Sequence, residues 1–186
     1  MLKIGITGTI ASGKTTAAHL MAGKKYPLFS ADKIVSDLYK NKTFVALLIK
    51  ELKLNPEKKL KQQVKLMIKK NKKMIKKLES VVHPFVRKKM KDFMKNNNNI
   101  IILEIPLLIE SKLNKFFDIL VFVGAKKSTR LKRYLKTNKD KKLFNLLNKR
   151  QMPGHKKSLV CDHFINNEKS ISILSKSVKE IINIYE

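Results

Sequence analysis

The chain has 186 residues, 43% of them apolar, which is enough for a full core and suits one domain, 1–186. No apolar run reaches the ~18 residues of a membrane span, and Met1-Leu2-Lys3 leads straight into a strand pattern, so neither a membrane helix nor a signal peptide is expected. The single cysteine, Cys161, excludes an internal disulfide and fits a reducing compartment, so a cytoplasmic location is expected.

Charge is extreme: 42 basic against 14 acidic residues, a net +28. Such a balance suits a polyanion partner. Yet only four of the basic residues are arginine, the residue that base edges and phosphate forks favour. Lysine is accompanied by abundant Asn and Ile, as in "KNNNNIIILEI". A compositional bias spread over solvated helix faces accounts for the charge, and no dedicated nucleic-acid site is expected. Tryptophan is absent, so no aromatic stacking platform stands out. The charge would still hasten the arrival of an anionic small substrate.

In chain order, Leu2 to Thr7 reads as a buried strand, followed by a glycine loop and a helix from Lys14 to Met21. "YPLFSAD" (26–32) reads as a second short strand ending at a carboxylate, and two short helical patterns follow between Lys33 and Glu51. After the turn "LNPEKK", Val64, Met67, Ile68, Ile75 and Leu78 recur at helical spacing. Val82, Val86, Met90 and Phe93 predict a second helix with Pro84 in its first turn. Asn96 to Asn99 read as a polar loop. The apolar runs "IIILEI" (100–105) and "ILVFVGA" (119–125) have the character of central parallel strands. Lys126 to Lys157 is basic and weakly amphipathic, which suits a mobile helical segment. "CDHFINN" (161–167) reads as a last strand and Ile171 to Tyr185 as a closing helix. Strands alternating with helices predict an α/β domain with a parallel five-stranded sheet flanked by helices.

Between the first strand and helix stands Gly8-Thr9-Ile10-Ala11-Ser12-Gly13-Lys14-Thr15, a G-x-x-x-x-G-K-[ST] phosphate loop in its proper context. A chance match in a chain of this length is on the order of one in a hundred. Backbone N–H groups from Gly8 through Thr16 and the helix N-terminus would cradle phosphates. Lys14 would reach the β- and γ-phosphates of ATP, and the Thr15 hydroxyl would ligate Mg²⁺. The chain lacks GTPase signatures and room for a helicase's second lobe, which leaves a small-molecule kinase. Such an enzyme needs a carboxylate to orient an acceptor hydroxyl and take its proton, and Asp32 lies at the sheet edge where ligands bind. Asp32 would equally serve as the cap of the helix beginning near Lys33. Glu104, ending its strand, suits either a water-mediated Mg²⁺ contact or an ordinary strand-end charge.

"GTIASGKTT", "SADKI", "LESVVHPFVR", "LEIPLLIES" and the spaced "Q…K…CDHFINN" resemble, in order and over roughly the whole chain, the motifs of the dephospho-CoA kinase family. The His-Pro and Pro-Leu-Leu-x-Glu pieces discriminate it from other small kinases. The resemblance implies a P-loop kinase fold with its core at 1–59, 96–125 and 158–186, a helical acceptor region at about 60–95 and a lid at about 126–157. It implies phosphorylation of the ribose 3′-hydroxyl of dephospho-CoA with ATP and Mg²⁺. It gives Asp32 the general-base role and sets His83 at the mouth of the acceptor region, where His83 would otherwise cap a helix beginning at Pro84. Leu107 and Leu108 would border the acceptor pocket, and Glu110 falls in the same motif or merely begins a helix. Arg133, Lys136 and Gln151 would belong to the lid, while Lys157, Asp162 and Asn167 complete the C-terminal motif. Three departures stand out: Ser30 replaces the first Asp of Asp-x-Asp, Thr9 and Ala11 replace loop glycines, and Thr137 stands where a lid arginine is expected, beside Lys136 and Lys139. The alternatives are a nucleoside or nucleotide kinase, and a basic nucleic-acid-binding protein with a structural ATP site. Oligomeric state is not legible.

Overall fold

A computed structural model describes residues 1–71, 73–97, 99–138 and 140–186, with Asn138 described through its backbone. Residue 98 of the expected polar loop and Lys139 of the expected lid lie outside the described residues. The elements are β1 (Lys3–Gly8), α1 (Lys14–Ala22), β2 (Leu28–Ser30), α2 (Ala31–Leu38), α3 (Lys42–Leu52), α4 (Leu60–Lys70) and α5 (Lys73–Lys95). There follow β3 (Ile101–Glu104), a 3₁₀ turn at Asn114–Phe116, β4 (Ile119–Gly124), α6 (Lys127–Asn138), α7 (Lys141–Arg150), α8 (Gly154–Ser158), β5 (His163–Asn166) and α9 (Ile171–Asn183). They form two compact units, Met1–Ser30 with Met94–Glu186, and Ala31–Phe93.

The first unit is built on five parallel strands in the order β2-β3-β1-β4-β5. β3 is buried at every position and β1 and β4 almost throughout, as central strands covered on both faces must be. β5, at the edge, alternates instead: Ile165 is buried while Phe164 and Asn166 are exposed. On one face, α1 contributes Ala17, Ala18, Met21 and Ala22, and α9 contributes Leu174, Val178, Ile181 and Ile182. The α9 spacing of four, three and one is one stripe of a 3.6-residue helix. Because all strands run the same way, Gly8, Ser30, Glu104, Gly124 and Asn166 end at one edge of the sheet. Cys161, two residues ahead of β5, is half-buried, and burial, with the Asp162 charge adding to it and Lys157 opposing, pushes its thiol up to about 11. At neutral pH it is a thiol rather than a nucleophilic thiolate.

The second unit is helical, with Phe44, Leu48, Leu52, Val64, Val81 and Val82 in its core. Asn41 caps α3 by accepting the Phe44 N–H at 2.9 Å, and Phe44 meets Phe85 edge-on with centroids 5.3 Å apart. Here the structure corrects the sequence reading: of the two expected helices the first, α4, ends at Lys70, and the second, α5, runs Lys73–Lys95, so that Pro84 stands inside it and not in its first turn. Proline inside a helix removes a hydrogen bond and costs roughly 3 kcal/mol. Val81 and Val82 are buried beside it, with Leu78, Phe85 and Val86 packed on the same cluster. Each such burial contributes roughly 1.5–3 kcal/mol, so the apolar stripe outweighs the break. His83 is therefore an interior helical residue and not a cap.

Burial holds His83 below the ordinary imidazole range; Arg87 acts in the same direction and Glu79 against it. The folded chain thus takes up this proton at lower pH than the unfolded chain, whose histidine titrates near about 6.5. Stability from this group is present above that value and lost as pH falls through the folded pKa. Urea unfolding across pH 8 to 5 should show a decline that is shallower in His83→Gln; parallel profiles would exclude the effect.

Candidate active site

The loop between β1 and α1 is shaped by two left-handed residues. Gly13 has φ of 90°, and a Cβ there would lie 2.1 Å from Asn167 Nδ2, so only glycine fits. Ala11, with φ of 57°, holds the same region at a cost. A turn bond from Ser12 N–H to Thr9 O, 3.2 Å, closes the loop. The Ser12 hydroxyl is buried without a hydrogen-bond partner, and a Cβ on Gly8 would sit 2.6 Å from it. A left-handed nest opening onto a helix N-terminus suits an anion.

Glu104 is the centre of the site. It is fully buried at the end of β3, paired in register with Ile6 of β1 and Ser30 of β2. Its Oε1 accepts the Thr15 hydroxyl at 2.9 Å and lies 3.7 Å from Lys14 Nζ; its Oε2 accepts the Ser30 hydroxyl at 2.6 Å. Ser30 thus has a defined task where the family motif has Asp: it donates to Glu104, whereas a carboxylate there would oppose it with like charge. Glu104 had two readings from sequence, and an ordinary strand-end charge does not describe this arrangement. The Thr15 hydroxyl and Glu104 carboxylate are hard oxygen donors that suit Mg²⁺. Among the described residues there is no cluster of three His, Cys, Asp or Glu that could hold a metal ion.

Side chains from α6 to β5 hold the loop from outside. Arg130 donates to Ile10 O at 3.2 Å, to Asn148 Oδ1 at 2.7 Å and to Ala125 O at 3.0 Å, with its guanidinium over the Phe144 ring. Burial depresses its pKa, against the Glu168 charge, but a guanidinium stays charged. Gln151 Oε1 accepts the Ile10 N–H at 2.7 Å. Arg133 donates to Ser12 O at 3.4 Å and to Asn167 O at 2.9 Å, and Asn167 Nδ2 donates to Ser12 O at 2.8 Å. The segment expected to be a mobile helical one is three helices, tied to the loop through Arg130, Arg133 and Gln151 while most of its lysines stay exposed.

Behind the loop, Lys157 is fully buried and donates to Pro106 O at 2.9 Å while pairing with Glu110 at 2.9 Å. Glu110 also accepts the Met152 N–H at 2.9 Å, so it anchors the end of α7 rather than starting a helix. Desolvation lowers the Lys157 pKa and the Glu110 pairing opposes that. Asp162 accepts the Leu120 N–H at 2.7 Å, which fixes the start of β5.

The structure gathers Gly8 through Thr16, Glu104, Arg133, Gln151 and Asn167 at one edge of the first unit. Leu108 is fully buried beneath β1, with Cδ1 2.9 Å from the position of a Gly5 Cβ, and Leu107 is half-buried in the same turn. Lys136 and Thr137 are exposed on α6. Asp32, in the first turn of α2, and His83, within α5, belong to the helical unit. Arg130 escaped the sequence reading. Its signal was present, since an arginine amid so many lysines marks a place where a rigid fork is needed.

Lys157→Met should cost about 3–5 kcal/mol in urea unfolding, because Glu110 loses its cation and keeps only the Met152 N–H, and Pro106 O keeps only the longer Thr7 hydroxyl contact. Adding Glu110→Gln should recover part of that loss. Losses of Lys157→Met and Glu110→Gln that simply add in the double variant would show that the pair is not coupled.

The family model described as CoaE, dephospho-CoA kinase, matches residues 2–172. The dephospho-CoA kinase of Bartonella quintana is 34% identical over 196 residues, covering 96% of this chain and 95% of that protein. Among solved structures, Thermus thermophilus TT1252 superposes with a TM-score of 0.80 at 25% identity, covering 100% of this chain and 98% of that one. The dephospho-CoA kinase of Campylobacter jejuni gives 0.64 at 23% identity over 98% and 96%, a likeness of fold. The family match over nearly the full length agrees with the loop, the buried acid and the C-terminal motif: the chain belongs to the dephospho-CoA kinase family.

Proposed function

We propose that this chain transfers the γ-phosphoryl group of ATP to the ribose 3′-hydroxyl of dephospho-CoA, giving coenzyme A and ADP. The observation that carries this reading is the phosphate loop gathered on buried Glu104 in a member of that family. The family assignment does not favour the free-nucleotide kinase or nucleic-acid alternatives.

In this reading the loop N–H groups from Gly8 to Thr16 bind the donor phosphates, and Lys14 offsets the charge that develops on the transferred group. Thr15, with Glu104 behind it, would hold Mg²⁺, which when bound neutralises charge between the phosphates. Asp32 accepts the proton of the 3′-hydroxyl as its oxygen bonds to phosphorus and the bond to the ADP oxygen breaks. His83, in a helical acceptor region at about 60–95, serves the acceptor side, which Leu107 and Leu108 border as packing residues. Arg133 and Lys136 of the lid, about 126–157, add cationic charge, and Gln151 orders the loop's shoulder. No helix among the described residues is long and apolar enough to cross a membrane. A cytoplasmic location belongs to this reading, with the single cysteine in keeping with a reducing compartment.

ADP release from MgATP should depend on dephospho-CoA and be absent with AMP, CMP or adenosine. Asp32→Asn should lower kcat by roughly 10²- to 10⁴-fold, the usual contribution of a general base. Turnover with a free nucleotide would overturn the acceptor, and an Asp32→Asn enzyme with near-normal kcat would remove Asp32 from the base role.

A further inference from the structure

The two peptide planes flanking Ala11 are each held by one hydrogen bond. The plane before it carries Ile10 O, which accepts from Arg130 Nη1 at 3.2 Å. The plane after it carries Ser12 N–H, which donates to Thr9 O at 3.2 Å. Holding both planes fixes the φ and ψ of Ala11, whose φ of 57° is disfavoured for an L-residue. That strain is worth roughly five- to thirtyfold in an equilibrium, and it persists only where neighbours over-determine the backbone. Gln151 Oε1 holds the next plane back through Ile10 N–H at 2.7 Å. Arg130 is itself locked: it is buried, and its remaining bonds run to Ala125 O at the end of β4 and to Asn148 of α7. It therefore transmits the position of the sheet edge and the lid helix to one peptide of the phosphate loop.

We propose that Arg130, seconded by Gln151, is a positioning residue that holds the phosphate loop in its nucleotide-binding shape by gripping Ile10 on both polar groups and so imposing the left-handed conformation on Ala11. This rests on the reading of the loop as the ATP site. Arg130 acts on the donor side only. Loss of the grip weakens MgATP binding and leaves the affinity for dephospho-CoA alone. Glycine at position 11 carries no such strain, so a chain with Ala11→Gly needs the grip less.

MgATP affinity should be measured by calorimetry for wild type, Arg130→Met, Gln151→Met, Ala11→Gly and the two doubles, with the KM for dephospho-CoA measured alongside. Arg130→Met and Gln151→Met should each weaken MgATP by about five- to thirtyfold while the dephospho-CoA KM stays within about twofold. In the Ala11→Gly background the same substitutions should cost at least about threefold less, a coupling that distant independent sites do not show. Should Arg130→Met fail to fold by circular dichroism, Gln151→Met carries the same comparison. Unchanged MgATP affinity in a folded variant, equal weakening toward both substrates, or equal losses in both backgrounds overturns the inference alone. A wild-type chain that does not bind MgATP overturns the function reading and this inference with it.

Discussion

Taking a carboxylate out of water costs several kcal/mol unless donors replace its hydration, and Glu104 is wholly out of water at the end of β3. The site is arranged around meeting that cost. Lys14 and Thr15 arrive from the first turn of α1, and Ser30 arrives from the end of β2. One buried charge thus fixes the first turn of α1 and the end of β2 against the end of β3. Ser30 shows the logic in miniature, because a neutral donor beside Glu104 completes the set where a second carboxylate would repel it.

The charge of this protein divides into two populations. Among the described residues, the buried basic side chains are Lys14, Arg130 and Lys157, and each is spoken for by named acceptors around the loop and the turn after β3. The great majority of the lysines lie on exposed helix faces, where the bias toward Lys, Asn and Ile is tolerated because a solvated ammonium needs no partner. The net +28 is thus compatible with a kinase whose functional cations are few and fixed. Arginine recurs where one side chain must reach more than one carbonyl: Arg130 and Arg133 together hold Ile10 O, Ala125 O, Ser12 O and Asn167 O. A lysine presents a point charge and does not span such a set.

The helices α6 to α8 are fastened at both ends. Arg130 and Gln151 tie them to the loop, while Met152 and Lys157 tie them to Glu110 and Pro106 in the turn after β3. Thr137, which stands where the resemblance leads one to expect an arginine, is exposed on α6 beside the exposed Lys136, away from those anchors.

The amino-acid sequence by itself determined the alternation of strands and helices, the phosphate loop and its place between β1 and α1, and the order of motifs that marks the family. These are local or periodic signals: a glycine spacing, an apolar run of strand length, a stripe on α9. Tertiary structure alone decided that α5 runs straight through Pro84, because the burial of Val81 and Val82 outweighs a proline's local cost. It alone gave Glu104 its donors, turned Glu110 into a partner of Lys157, and set Arg130 on a peptide 120 residues earlier in the chain. Each of those contacts joins residues far apart in sequence, and no periodicity or spacing records which distant backbone carbonyl a buried cation will meet.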